Sequence, residues 1–411
     1  MIDNKYDVLI VGGGASGFFC ANILMDLNPN LKCLIIEKTS KTLSKVRVSG
    51  GGRCNVTNQE THPKKLSFNY PRGEKFLLNL FKKFGSKEVQ QWFESKGVSL
   101  KTEPDGRVFP LSNNSQTIID ILHSVLDNEN CTLKTSFSVD QISQNETNWE
   151  ISSPAETLTG THLVLATGGI NKKTSGLLKL LRIKIISPAP SLFTFKLPIK
   201  EELLKEMQGV AIQEVQTKIL GSKITSTGPL LFTHWGLSGP AILKLSAWGA
   251  KILAEKNYEF SIHINFVNKS FDETKLTIEG IRAKESKKLI KNITPFNLPK
   301  RAWLFILHKA EINENDLLED ISGKKLNKLV TELSQSEFAV SGKSTFKDEF
   351  VTAGGVDLDE IKRSQCEHAS LTNLYFTGEL MDIDAITGGF NFQGCWTTAY
   401  TVAKAITNKE I

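Results

Sequence analysis

The chain has 411 residues, 40% of them hydrophobic and 23% charged. That composition excludes a disordered chain and leaves room for two or three domains with cores of their own. The formal net charge of +6 comes mostly from lysines, densest at 282–331, and these read as solvated helix faces rather than a nucleic-acid surface.

In chain order, "KYDVLIV" (5–11) is a short apolar strand. A glycine run follows it, then a helical pattern through Phe18, Ala21, Leu24 and Met25. "KCLIIEK" (32–38) is a second buried strand, so the chain opens as a strand–helix–strand unit. Two amphipathic helices are expected over 74–96, a turn at "EPDGRVFP", and a capped helix at "SNNSQTIIDILHSVL". "CTLKTSFSVDQIS", "WEISS" and "HLVLATGG" read as strands. From about 190 the texture changes to short β-like segments, "SLFTFKL", "GVAIQEVQTKIL", "ITSTGPLLFT" and "YEFSIHINF", which suggest a small barrel or sandwich. Residues 272–335 are Lys- and Leu-rich and helical, and "EFAVSG" returns as a strand. "EFVTAGGVDL" and "NLYFTGEL" restore strand character, and "GGFNFQGCWTTAYTVAKAITNK" closes the chain as a helix beginning after a glycine pair.

The glycines carry the first chemical reading. Gly12, Gly14 and Gly17 in "GGGASG" follow a strand and open a helix, and Glu37 ends the next strand 20 residues past Gly17. Such glycines let backbone approach a pyrophosphate at a helix N-terminus, and such an acid holds a ribose hydroxyl. A late "ATGG" (166–169) and a C-terminal "YFTGE" (375–379) complete a trio that indicates FAD in an extended pose. "SGGGRCN" (49–55) follows Glu37 closely, so its backbone would reach the pyrophosphate, ribityl chain or ring edge. Arg53 would neutralise phosphate charge there or form a surface ion pair.

Four long motifs then carry a resemblance. "KVRVSGGGRCNVTN", "LLFTHWGLSGPAIL", "VTAGGVDLDEI" and "LYFTGELMDIDAITGGFNFQGCWTTAY" resemble, in order and over nearly the whole chain, the BaiN-type (YhiN-type) bacterial NAD(P)/FAD-dependent oxidoreductases. The resemblance implies an α/β, Rossmann-like FAD-binding domain built from both chain ends, 1–189 and 346–411. It implies an inserted β-barrel (190–271 and 336–345) and a small helical subdomain (272–335). It places Gly12, Gly13, Gly14, Ala15, Ser16, Gly17, Glu37 and Lys38 on the adenosine and pyrophosphate, Gly51, Gly52, Arg53, Cys54 and Asn55 along the cofactor, and the Val139 backbone on the adenine. Thr167 and Gly168 support the turn. Gly378 and Glu379 take the ribityl position, and Gly388, Gly389 and Asn391 open the last helix under the flavin pyrimidine. One segment departs: "ATGGINKKTSGLLKLL" is shorter than the family's Gly-rich loop, and no cofactor role is assigned to it.

Catalytic candidates are His234 in "FTHWGLSGP", which would supply a proton or cap a turn, and Arg53. Cys54 has no second cysteine nearby to resolve a flavin–thiol exchange, so a buried inert thiol is expected. The six cysteines form no CxxC pair and no zinc spacing, and no metal is expected. No second nucleotide fingerprint is present, so NADH or NADPH would act as a transient reductant at the open ring face. The expected function is hydride transfer from that reductant through FAD to a small-molecule acceptor, with an enone-type C=C bond implied by the family. Two alternatives stay open: an RNA-binding flavoprotein of tRNA-modifying type, and a flavin redox sensor without turnover. A cytoplasmic protein is expected, with no membrane partner and no nucleic-acid partner.

Overall fold

The computed structural model describes residues 5–145, 147–198, 205–343 and 351–408. Two compact units emerge, Met1–Ala189 with Lys347–Ile411, and Pro190–Phe346. The boundary expected between 345 and 346 lies outside the described residues.

The first unit is organised by a parallel sheet. The strand Lys5–Val11 lies between Cys33–Ile36 and Thr157–Leu165, parallel to both. Cys131–Lys134 extends the sheet on one side and Leu374–Phe376 on the other, again in parallel. The central strands are apolar along their whole length because both faces are covered: Val8, Leu9, Ile10, Leu163 and Val164 are fully buried. Leu374–Phe376 comes from the far end of the sequence, so this sheet is built from both ends of the chain. The first helix, Ala15–Leu27, packs along the last, Phe390–Asn408, and Phe19 and Trp396 meet with ring centroids 5.0 Å apart.

The expected strand "CTLKTSFSVDQIS" divides in two, Cys131–Lys134 and Gln141–Asn145. Ser136 adopts a left-handed φ of 56°, and the Phe137 N–H donates to the Glu37 carbonyl, so the chain turns off the sheet at the end of the second strand. The helix at 115–123 is capped as its sequence indicates: the Asn114 side chain accepts from the Gln116 N–H at 2.9 Å.

The second unit is a closed antiparallel barrel with attached helices. Around the barrel run Phe195–Lys196, Gly236–Ser238, Thr225–Phe232, Ala211–Ile219, Glu259–Asn265 and Ser336–Lys343, the last pairing back to the first. Closure removes every sheet edge, which explains how strands as short as Phe195–Lys196 and Gly236–Ser238 stay ordered. A 16-residue helix, Pro240–Glu255, packs on the barrel; sequence reading passed over it within the β-rich segment. The helices Phe271–Lys284, Lys300–Lys309 and Gly323–Ser334 follow. Phe305 anchors the second of these by stacking on Phe338 and meeting Phe232 edge-on. Among the described residues, no helix is long and apolar enough to cross a membrane.

Candidate active site

The glycine-rich turn after the first strand is held by contacts that tolerate nothing larger than glycine. A Cβ on Gly12 would lie 2.2 Å from the Ala166 carbonyl oxygen, and one on Gly17 would lie 1.9 Å from the Gly12 carbonyl oxygen. A Cβ on Gly14 would meet nothing within 4 Å, so the turn keeps one open side at the start of Ala15–Leu27. That helix has no side-chain cap, which leaves its first N–H groups facing the opening.

Glu37 is tied to this turn. Its Oε2 accepts from the Gly13 N–H at 3.0 Å, and its Oε1 accepts from the Thr39 N–H and Oγ1, each at 2.9 Å. A carboxylate offers about four lone-pair sites, so one remains for a further donor. Lys38 beside it is exposed, and Val139, in the turn beyond, is buried.

Two later segments converge on the same place. Ala166 and Thr167 back directly onto Gly12. Thr167 Oγ1 is shielded from solvent and has no hydrogen-bond partner among the described residues. A Cβ on Gly378 would lie 2.1 Å from Ser16 Oγ, so the C-terminal motif presses against the first turn of the first helix. Glu379 accepts from the Thr352 N–H at 2.9 Å and from Lys45 Nζ at 2.6 Å, beside Gly168 and Gly169.

The "SGGGRCN" stretch begins as the helix Ser44–Gly52 and unwinds at Ser49. Gly50, Gly51 and Gly52 then take left-handed φ values of 57°, 69° and 81°, which L side chains disfavour. A Cβ added to Gly51 or to Gly52 would meet nothing within 4 Å, so their backbone borders open space rather than protein. Arg53 is held against this stretch: its Nε donates to the Gly50 carbonyl at 3.3 Å, its guanidinium pairs with Glu103 at 2.5 Å and it lies over the Phe109 ring at 4.0 Å. Cys54 is fully buried, and burial pushes its thiol up to about 12.

Asn55 and Asn58 clamp this stretch to the C-terminal glycines. With its amide oriented to satisfy both ends, Asn55 accepts from the Gly389 N–H at 2.8 Å and donates to the Thr57 carbonyl at 2.9 Å. Asn58 Nδ2 donates to the Gly388 carbonyl at 3.0 Å. Gly389, at φ 91°, passes so close to the Thr57 carbonyl that a Cβ would lie 2.3 Å from it. Asn391 is turned onto the preceding loop, accepting from the Ala385 N–H at 2.9 Å and donating to its carbonyl at 3.0 Å. A buried Arg72–Asp384 ion pair fixes the same loop. Sequence reading missed Arg72, Asp384, Glu103, Lys45 and Thr352, whose partners lie far away along the chain; Lys45, Thr352 and Asp384 stand inside the quoted motifs and Glu103 opens the quoted turn, but their spacing gives them no role.

Segments from the two ends of the chain thus meet in the first unit, at Gly12 with Ala166, at Ser16 with Gly378, and at Asn55–Asn58 with Gly388 and Gly389. The open sides at Gly14, Gly51 and Gly52 and the unpartnered Thr167 hydroxyl fit an extended dinucleotide.

His234 belongs to the second unit. It occupies a tight turn in which the Thr233 N–H donates to the Gly236 carbonyl at 2.8 Å. Thr233 Oγ1 accepts from the N–H groups of Trp235 and Gly236 at 3.3 and 3.2 Å. His234 is exposed and its ring centroid is 4.1 Å from that of Trp235.

A parallel sheet opened by a dinucleotide turn, completed by the returning C-terminus and interrupted by a closed barrel, is the architecture of an FAD-dependent oxidoreductase, and this protein is an enzyme of that class. More closely, the chain belongs to the HI0933-like family, whose Rossmann-domain profile matches residues 6–405. The resemblance carried by the four motifs therefore holds across the chain. The chain is similar to the ribosomal RNA dihydrouridine synthase of Escherichia coli (strain K12), at 28% identity over 97% of this chain and 98% of that one. It is also similar to the 3-dehydro-bile acid delta(4,6)-reductase of Clostridium scindens, at 24% identity over 96% of this chain and 98% of that one. Among solved structures, the 3-ketosteroid delta1-dehydrogenase from Sterolibacterium denitrificans shares the fold, with a TM-score of 0.51, 12% identity, and coverage of 99% of this chain and 100% of that one.

Proposed function

We propose that the protein reduces a carbon–carbon double bond conjugated to a carbonyl, and that its acceptor is the 5,6-bond of uridine in ribosomal RNA. One observation carries this reading. Two relatives that align with almost the entire chain are named for substrates as unlike as RNA and a bile acid, yet the two names describe the same bond change. The uracil C5=C6 bond is conjugated to the C4 carbonyl, just as the bile-acid double bonds are conjugated to a 3-oxo group. The RNA-linked relative is the more similar of the two, at 28% against 24% identity, and it sets the choice of acceptor.

In this reading Gly12 to Gly17 and the uncapped start of Ala15–Leu27 hold the pyrophosphate, with Glu37 on the adenosine ribose. Thr167 donates its free hydroxyl, Glu379 faces the ribityl chain, and the left-handed Gly51–Gly52 backbone lies along the ring end with Gly388 and Gly389. NADH or NADPH is the transient reductant. FAD, when bound and reduced, supplies hydride from N5. The acceptor takes that hydride at the carbon β to its carbonyl and needs one proton at the α-carbon. His234 is the candidate donor of that proton, because the Thr233–Gly236 turn holds it exposed and fixed. Arg53, held by Glu103 and Phe109, positions the glycine stretch rather than the reacting atoms.

The test is anaerobic. The holoprotein is bleached with NADH or NADPH and mixed with unmodified ribosomal RNA transcript, and in a parallel arm with a small cyclic enone. Flavin reoxidation by the transcript is expected, and His234→Ala should slow that step while leaving bleaching intact. Reoxidation by neither acceptor would refute the conjugated-alkene reading, and reoxidation by the enone alone would refute the RNA acceptor.

A further inference from the structure

The outer face of the barrel gathers cations around a cavity. Along Ala211–Ile219 the side chains alternate: Val215, Thr217 and Ile219 are fully buried, and Gln216 and Lys218 are exposed. Along Glu259–Asn265, Ile262 and Ile264 are fully buried, and His263 and Asn265 are half-buried. The two strands pair with Lys218 opposite His263 and Gln216 opposite Asn265, so these four stand together on the outer face. The other residue in register with Lys218 is Thr225, so no carboxylate stands opposite it on either neighbouring strand. Beside this floor the chain turns from Asn265 into the helix Phe271–Lys284. Asn265 fixes that turn: its Nδ2 donates to the Lys269 carbonyl at 2.7 Å, and its Oδ1 accepts from the Val267 N–H at 3.2 Å. Gln216, Lys218, His263, Lys269, Ser270 and Gln335 line the resulting cavity of about 230 Å³, and no carboxylate lines it. Two acids lie nearby. Glu337 is opposite His263 on the next strand, and Glu273 attracts Lys269 and accepts from the Ser270 N–H and Oγ at 2.8 and 2.6 Å. Among the described residues, the side chains of Gln216, Lys218, His263 and Gln335 have no hydrogen-bond or ion-pair partner.

We infer that this cavity holds a backbone phosphate of single-stranded RNA, with Lys218 as its charge partner and the Gln216 amide and His263 ring as hydrogen-bond donors. This rests on the RNA reading of the acceptor and adds a place where the barrel grips the strand. A phosphodiester offers acceptors alone, and the cavity offers an ammonium, an imidazole and two amides without a competing carboxylate. Its size fits one group of a longer ligand. Sites for whole small molecules run from about 300 to 1,000 Å³, and this one is smaller. The charge of the unit agrees, since residues 190–346 hold 22 Lys and Arg against 17 Asp and Glu. The phosphate of a free nucleotide has the same chemistry, and the two sources leave different marks. Only a strand ties the contact to counterion release, so only RNA binding loses salt dependence when Lys218 is removed.

The experiment measures anisotropy of a fluorescein-labelled, uridine-rich single-stranded RNA of about 20 nucleotides, titrated with holoprotein at several KCl concentrations from about 50 to 200 mM. Lys218→Ala should lower the slope of log affinity against log salt by about 0.7, the mark of one lost phosphate contact. Gln216→Ala removes a neutral donor and should weaken binding by about 2- to 10-fold with the slope unchanged. Lys287→Ala is the control. Lys287 is exposed on the same unit and does not line the cavity, and its loss should leave the slope unchanged. Far-ultraviolet circular dichroism of each variant reports folding. In a parallel arm, uridine monophosphate is titrated with holoprotein and followed by its phosphorus resonance, and no shift that depends on Lys218 is expected. A parent-like slope in Lys218→Ala, or an equal fall in Lys287→Ala, would overturn the site while leaving the RNA reading standing. A nucleotide shift abolished by Lys218→Ala, beside a parent-like RNA slope, would give the cavity to a free nucleotide and overturn the strand as its occupant. A parent protein that binds no RNA would remove the RNA reading, and this site with it.

Discussion

Replacing Glu37 with Gln separates the two roles of this carboxylate. Oε2 receives the Gly13 N–H at 3.0 Å, and Oε1 receives two donors from Thr39 at 2.9 Å. An amide has only one acceptor oxygen. If it keeps the Thr39 pair, its NH₂ faces the Gly13 N–H, donor against donor, and the bond that shapes the turn is lost. A hydrogen bond to a charged group contributes about 1.5–3 kcal/mol. The apo protein should therefore lose roughly that amount, a fall in thermal midpoint of about 2–4 °C per kcal/mol for a unit of this size. FAD should be lost as well, because the ribose hydroxyl would also exchange a charged acceptor for a neutral one. A further loss of about 1.5–3 kcal/mol corresponds to a Kd raised by about 10- to 150-fold. Scanning calorimetry of the apo variant reads the first effect, and fluorescence titration of apoprotein with FAD reads the second. An unchanged midpoint together with an unchanged Kd would refute the claim that Glu37 holds both turn and ribose.

Other consequences are as direct. Gly17→Ala places a methyl 1.9 Å from the Gly12 carbonyl oxygen and should cost about 3 kcal/mol or more with loss of bound FAD, whereas Gly176→Ala, exposed in the helix Lys172–Leu180 with nothing within 4 Å, should gain about 0.5–1 kcal/mol; absorbance ratios and thermal midpoints compare them. Burial pushes the Cys54 thiol up to about 12 and raises those of Cys20 and Cys366 further, so Ellman's reagent at pH 8 should label none of these three until the protein is unfolded. Burial holds the His123 and His368 imidazoles below the ordinary value of 6.5, and the His368 ring nitrogen Nδ1 accepts from the Ser370 and Leu371 N–H groups. The folded state resists protonating both rings, so the stability they contribute is present above about pH 6.5 and lost as the pH falls below it; a thermal midpoint that stays level from pH 7 down to 5 would contradict this.

The sequence is most legible where chemistry is local. The turn at Gly12–Gly17 and the acid at Glu37 lie within one strand–helix–strand unit, and spacing alone relates them. Barrel and sheet strands are readable by alternation or by continuous apolar runs, and the returning strand Leu374–Phe376 by its "LYF" core. Legibility ends where a residue's partner is distant. Nothing near Arg72 announces Asp384, and nothing near Lys45 announces Glu379, since both pairs depend on the C-terminus folding back over the first unit. The helix Pro240–Glu255 was hidden by its setting among short β-like segments, although Pro at the first helical position is a start signal. The break at Ser136 was hidden by β-forming residues, whose preference yields to the hydrogen bond from Phe137 to Glu37. Lysine density could not separate a solvated face from an RNA surface, because both have the same composition.

The most direct test of the central claim is mass spectrometry of nucleosides from unmodified ribosomal RNA transcript incubated anaerobically with the holoprotein and NADH or NADPH. The account predicts a uridine-derived nucleoside heavier by two hydrogens, formed only when flavin and reductant are both present. Transcript uridine that stays unreduced, under conditions in which the same preparation reduces a small cyclic enone, would contradict it.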